Sequence, residues 1–125
     1  MFQIDPTTSA ITMHRGDTGA YDVTLTRSDG EPFTSVDRAV YTVMQGQTVK
    51  IHREYALDGE TNGKFTIAFH NSDTDTWAAT SYDTEIRVVI NPVYDDNDKI
   101  INGDIVRTPP ELKSTITILS VLEDI

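Results

Sequence analysis

Tyr21-Asp22-Val23-Thr24-Leu25-Thr26 puts Tyr21, Val23 and Leu25 on one side of an extended chain and Asp22, Thr24 and Thr26 on the other. Successive side chains of a strand point to opposite faces, so a period of two predicts one face against a core and one toward water. Working outward, Phe65, Ile67 and Phe69 alternate with Thr66, Ala68 and His70 in the same way. Val49–Tyr55 and Thr84–Ile90 follow the rule, and Ala10–His14, Arg38–Met44, Ile100–Val106 and Ser114–Leu122 follow it more weakly. The pattern predicts about eight strands.

The spacers agree with the stripes. Asp29-Gly30, Asp58-Gly59, Asn62-Gly63 and Asn102-Gly103 are dipeptides that reach positive φ at little cost and close tight turns. Short strands joined by such turns, with no helical crossovers between them, predict an all-β, mainly antiparallel sandwich or barrel rather than a parallel α/β sheet. Within the long run from Tyr82 to Tyr94, Pro92 lacks an N–H for the ladder, so a bend or edge switch is expected near Asn91-Pro92. One stretch breaks the alternation. Ser72 followed by Asp75 has the spacing of a capping box, and it predicts a short helical turn over 72–79 with Trp77 as its apolar plug.

The chain of 125 residues is read as one domain, 1–125, long enough to bury about two-thirds of its unfolded surface. It has no cysteine, which removes disulfides, thiol nucleophiles and Cys-based metal sites together. Asp and Glu number 20 against 10 Lys and Arg, a net charge of −10, and most of it lies beyond residue 54. Such a balance opposes any electrostatic grip on nucleic acid or on anionic membrane surfaces. No window approaches the roughly 18 apolar residues of a membrane span. Met1-Phe2-Gln3-Ile4-Asp5-Pro6 lacks the basic start and apolar run of a secretory signal, so none is expected.

Candidate chemistry is sparse. Arg15-Gly16-Asp17 spells an adhesion tripeptide, but Thr18 and Gly19 follow it, and a tight turn between two strands accounts for it. His14, His52 and His70 lie at separate strand ends, without the spacing that would bring two imidazoles to one metal. Asp95-Asp96-Asn97-Asp98 offers oxygen ligands in one loop, yet Ile100 and Ile101 stand where an EF-hand order needs an oxygen donor and a glycine. No nucleophile elbow or phosphate-binding glycine pattern occurs. Pairs such as Asp73/Asp75 and Asp83/Glu85 serve glycoside hydrolysis only when opposed across a cleft. Trp77 has an alternative role as a stacking face for a sugar. The expectation is a protein without catalytic, cofactor or metal residues; the rival readings are a carbohydrate-binding module built on Trp77 and a calcium-stabilised adhesion domain built on 95–98.

The C-terminal stretch is more apolar. Thr108-Pro109-Pro110 imposes a stiff, extended segment. Leu112, Ile116, Ile118 and Leu122 then share one strand face, while Leu119, Val121 and Ile125 carry apolar groups elsewhere. Two readings stay open: a strand buried between two layers, or an apolar edge that a second subunit or partner covers by strand addition. On the second reading Leu119, Val121 and Ile125 are the first contact residues, and the acidic tip at 95–98 is the next.

Taken together, several stretches resemble a known family. Ile11-Thr12-Met13-His14-Arg15-Gly16-Asp17-Thr18, followed by Tyr21-Asp22-Val23-Thr24-Leu25, resembles the opening of the phage baseplate upper protein N-terminal domain. That domain is an immunoglobulin-like sandwich of phages and prophages of Gram-positive bacteria. Val40-Tyr41-Thr42-Val43-Met44, Gly63-Lys64-Phe65-Thr66-Ile67, Tyr82-Asp83-Thr84-Glu85-Ile86 and Asn102-Gly103-Asp104-Ile105-Val106 continue the likeness in order. The resemblance implies an immunoglobulin-like fold and a non-enzymatic building block of the virion, in the tail or baseplate, made in the host cytoplasm. Its implied partners are other phage structural proteins and neighbouring copies of itself.

Overall fold

The computed structural model describes residues 2–27, 30–97, 100–106 and 113–119. In chain order the elements are β1 (Phe2–Ile4), β2 (Ile11–His14), β3 (Gly19–Thr24), β4 (Arg38–Gln45), β5 (Thr48–Ala56), β6 (Lys64–Phe69), α1 (Asn71–Thr74), β7 (Ser81–Tyr94), β8 (Ile100–Val106) and β9 (Lys113–Leu119). The all-β sandwich expected from alternation is what forms. Its layers are unequal: β1-β2-β9-β7-β4-β5 make one sheet, with β8 also paired to β7, while β3 and β6 make a two-stranded second sheet.

Each alternating stripe finds the other layer. Phe65, Ile67 and Phe69 of β6 face Tyr41 and Val43 of β4, Tyr82 and Ile86 of β7, and Ile116 and Ile118 of β9 in one buried cluster. Aromatic rings fill the gap in edge-on and stacked pairs, Tyr41 meeting Phe69 edge-on at 6.4 Å and Tyr55 stacking on Phe65 at 4.9 Å between centroids. At the turn before β6, Gly63 has φ +85° and leaves no room for a Cβ beside the Leu25 carbonyl, whose own N–H donates to the Gly63 carbonyl at 2.8 Å.

Three features depart from the sequence expectations. β1 is a ninth strand, too short for a period of two to be visible. It forms because it pairs with β2 and because the Phe2 ring lies on Gly19, which has no side chain to obstruct it. The pairing of β2 with β9 is parallel, bringing the first and last parts of the described chain together inside the larger sheet. The helical turn is shorter than 72–79 and begins earlier, at Asn71–Thr74. Its cap is His70, whose backbone N–H donates to the Asp73 carboxylate at 2.7 Å, so the reciprocal acid is Asp73 rather than Asp75.

The crossover from β6 to β7 is tied on both sides. The Tyr82 hydroxyl donates to the Ala78 carbonyl at 2.8 Å, and the Tyr82 ring packs 4.6 Å from that of Trp77. Across the layers, Arg53 of β5 meets the Asp73 carboxylate at 2.8 Å and donates to the Ala68 carbonyl of β6. Burial alone would raise the pKa of Asp73, but the His70 N–H and the Arg53 guanidinium outweigh it and hold the carboxyl below its ordinary value.

Two outcomes are expected. A carboxylate with a lowered folded-state pKa stabilises the protein above its unfolded pKa and loses that contribution as pH falls through the folded value. Asp73→Asn should therefore cost about 1.5 kcal/mol at pH near 6 and progressively less below pH about 4, as read from denaturant midpoints at each pH. The buried Tyr41 hydroxyl has no partner in good hydrogen-bond geometry, although the Tyr21 hydroxyl is near enough to interact with it. Tyr41→Phe should thus leave stability within about 1 kcal/mol of the parent; a larger loss would reveal a bonded hydroxyl.

Candidate interaction surface

The apolar C-terminal strand lies inside the larger sheet. β2 takes one edge of β9 along Ile116–Leu119, and β7 takes the other along Lys113–Thr117. Ile116 and Ile118 are core residues, with exposures of 0% and 2%. A partner strand has no free edge to join over Ile116 and Thr117; β9 is an inner strand of one sheet that turns Ile116 and Ile118 to the core and leaves Thr115, Thr117 and Leu119 half-buried on its other face. Leu119 is half-buried opposite His14. Val121 and Ile125 lie outside the described residues, as do Leu112 and Leu122.

The most exposed apolar groups are elsewhere. β7 pairs with β9 in its first part and with β8 from Val88 onward, so its far end and β8 form a two-stranded arm. Ile90 pairs with Asp104 and Val93 with Asn102, which sets Asn91 and Pro92 opposite the single residue Gly103. A bulge of this kind bends the strand and relieves the proline of its missing N–H. Asn91 sits at φ +50°, and its N–H donates to Asp37 Oδ1 at 3.1 Å. The other oxygen of Asp37 accepts the Thr34 N–H at 2.8 Å, and the residue is wholly buried. The bend expected at Asn91-Pro92 is thus present, locked by a carboxylate whose role had no sequence motif beyond a threonine three residues before it.

Past the bend, Val93 and Tyr94 are 49% and 40% exposed, and Val36, next to the lock, is 48% exposed. The Tyr94 hydroxyl donates to Glu54 at 3.3 Å, which ties the arm to β5. At the tip, Asp95 Oδ1 accepts the Asn97 N–H, a local turn closed by the side chain. Asp98, the remaining acid of the 95–98 cluster, lies outside the described residues.

The other candidates are taken up by structure. Trp77 is 4% exposed, and the Lys50 ammonium lies 5.8 Å from its ring centroid, so no ring face is open to a sugar. Gly16 of the Arg15-Gly16-Asp17 turn donates to the buried Thr74 hydroxyl at 2.9 Å and accepts from the Asn71 amide. Asp17 accepts the His14 N–H at 2.8 Å, which closes the turn on itself. The three histidines remain apart: His14 near Asp17, His52 near Glu54 and His70 at the helix start. Asp83 and Glu85 line an open groove of about 560 Å³ on the outer face of the larger sheet. Glu85 lies 3.5 Å from Arg87 and 3.8 Å from Lys113 there, so acids and bases neutralise one another.

Comparison with known protein families, curated proteins and solved structures finds no match to this chain. Among the described residues, no helix is long and apolar enough to cross a membrane.

Asp37→Asn replaces one acceptor oxygen by an amide N–H facing a backbone N–H. It should cost about 2–3 kcal/mol in denaturant unfolding and speed amide exchange in the arm more than in β2 or β6.

Proposed function

We propose that the chain is a non-enzymatic structural component of a phage or prophage virion, in the tail or baseplate, that works through protein–protein contacts. The observation that carries the reading is the bent arm at the end of β7. It displays Val93 and Tyr94 to solvent on a backbone held by the buried Asp37 carboxylate. A rigid, preorganised projection loses little conformational freedom on association, as a repeated assembly contact requires. The rest supports the same reading. On the outer face of the larger sheet Glu85 pairs with Arg87 and Lys113, the adhesion tripeptide is folded into a turn, and Trp77 belongs to the core. The resemblance of the chain from about Ile11 to Leu122 to a baseplate domain supports this kind of assembly.

The test is compositional. Particles released from the source bacterium after prophage induction and banded by density should contain this chain at a fixed ratio to tail proteins, as read by mass spectrometry. Intact particles that lack it would overturn the virion assignment.

A further inference from the structure

Asparagine followed by glycine is prone to lose its side-chain amide, because glycine puts no side chain in the way of its own nitrogen. The sequence holds two such pairs, Asn62-Gly63 and Asn102-Gly103. At the first, the Gly63 nitrogen bonds to Asn62 Cγ as its proton passes to water, the Cγ–Nδ2 bond breaks and ammonia leaves. Water then opens the cyclic imide, which yields aspartate or the isomer whose backbone runs through the side chain.

The fold occupies both groups that must meet. Asn62 Oδ1 accepts the Phe33 N–H and Asn62 Nδ2 donates to the Phe33 carbonyl, both at 2.9 Å. The side-chain amide thus serves as a neighbouring strand for a residue in the irregular stretch between β3 and β4. The Gly63 N–H donates to the Leu57 carbonyl at 2.7 Å. Turning Cγ onto the nitrogen requires these bonds to break. Nor is the glycine exchangeable, since its φ of +85° and the Leu25 carbonyl leave no place for a Cβ.

We propose that Asn62 is a modification site gated by the fold: its amide is lost only when the turn over 57–63 opens, and the carboxylate left behind keeps that turn from closing again. A carboxylate still accepts the Phe33 N–H, but it sets its second oxygen against the Phe33 carbonyl, where a donor stood before. The Phe33 ring is 4% exposed and belongs to the core cluster. The Gly63 carbonyl accepts the Leu25 N–H at 2.8 Å, next to the last pair of the β3–β6 ladder. Amide loss therefore loosens the open end of the narrow sheet, in one direction only. The inference is independent of the virion reading.

The experiment follows amide loss at Asn62 in the full chain at neutral pH by peptide mass spectrometry, in buffer, in urea below the unfolding midpoint and in urea above it. The native rate should be at least about tenfold below the unfolded one, and it should climb with urea before the chain unfolds globally. Phe33→Ala leaves Asn62-Gly63 intact but removes the ring beside Gly63, and it should raise the native rate several-fold. Asn62→Asp should lower the denaturant midpoint and speed amide exchange at Phe33 and Leu25 more than at Ile116. Equal rates in native and unfolded chains would overturn the proposal. So would a rate that urea leaves unchanged until global unfolding, or an Asn62→Asp chain with the midpoint and exchange of the parent. If Phe33→Ala does not fold, the urea series and Asn62→Asp decide.

Discussion

The backbone ladder of β7 carries the larger sheet, because this one strand of 14 residues serves three neighbours. Over Ser81–Glu85 it pairs with β9, over Asp83–Val89 with β4, and from Val88 onward with β8. A buried backbone group without a partner costs as much as a lost hydrogen bond, so a strand shared in this way has little freedom to shift register. Its side chains alternate between core and solvent until Val88-Val89-Ile90, where three successive residues are buried. Just beyond, the strand leaves the body of the sheet through the bulge at Asn91-Pro92. Sheet and arm are thus one continuous ladder, and the direction of the arm follows from where the ladder is interrupted.

The second sheet is narrow, and polar ties supplement its apolar packing. Arg53 reaches from β5 to Asp73 and to the Ala68 carbonyl, crossing from one layer to the other. Thr74 and Asn71 hold the turn after β2 against α1. Such bonds to charged and buried groups are individually modest in net energy, but leaving one partner unsatisfied is costly, and they select one arrangement of the layers. Lys50 is the additional residue of a bulge on the edge strand β5, and its ammonium lies over Trp77. A bulge and a lysine on an outer strand are also what discourages unwanted pairing at a sheet edge.

The acidity of the chain is distributed between two uses. Asp73, Asp37 and Asp17 accept backbone N–H groups and hold turns or caps in place. Glu54 accepts the Tyr94 hydroxyl, and Asp95 closes the turn at the tip of the arm. A high net charge, with Glu85 paired to Arg87 and Lys113 on the sheet face, gives a surface that resists indiscriminate association.

Much of the architecture was legible from the residues. Alternation in Tyr21–Leu25, Phe65–Phe69 and Thr84–Ile90 identified strands and their buried faces, because a pleated chain has only two sides and water sorts side chains between them. Asp58-Gly59 and Asn62-Gly63 fall in the connection between β5 and β6, which join different sheets, while Asn102-Gly103, expected to close a turn, lies within β8 because it pairs with the far end of β7; Pro92 located the bend because a missing N–H is a covalent fact. Long-range pairing decided the remainder. The apolar Ile116 and Ile118 were equally suited to a free edge or an inner strand, and only the positions of β2 and β7 on either side of β9 distinguish these. Asp37 is an ordinary acid in the sequence and becomes the lock of the arm because folding brings Asn91 to it across 54 positions. Local chemistry is written residue by residue, whereas which edges are covered, and which apolar groups stay in water, depends on segments that meet only when the sheets close.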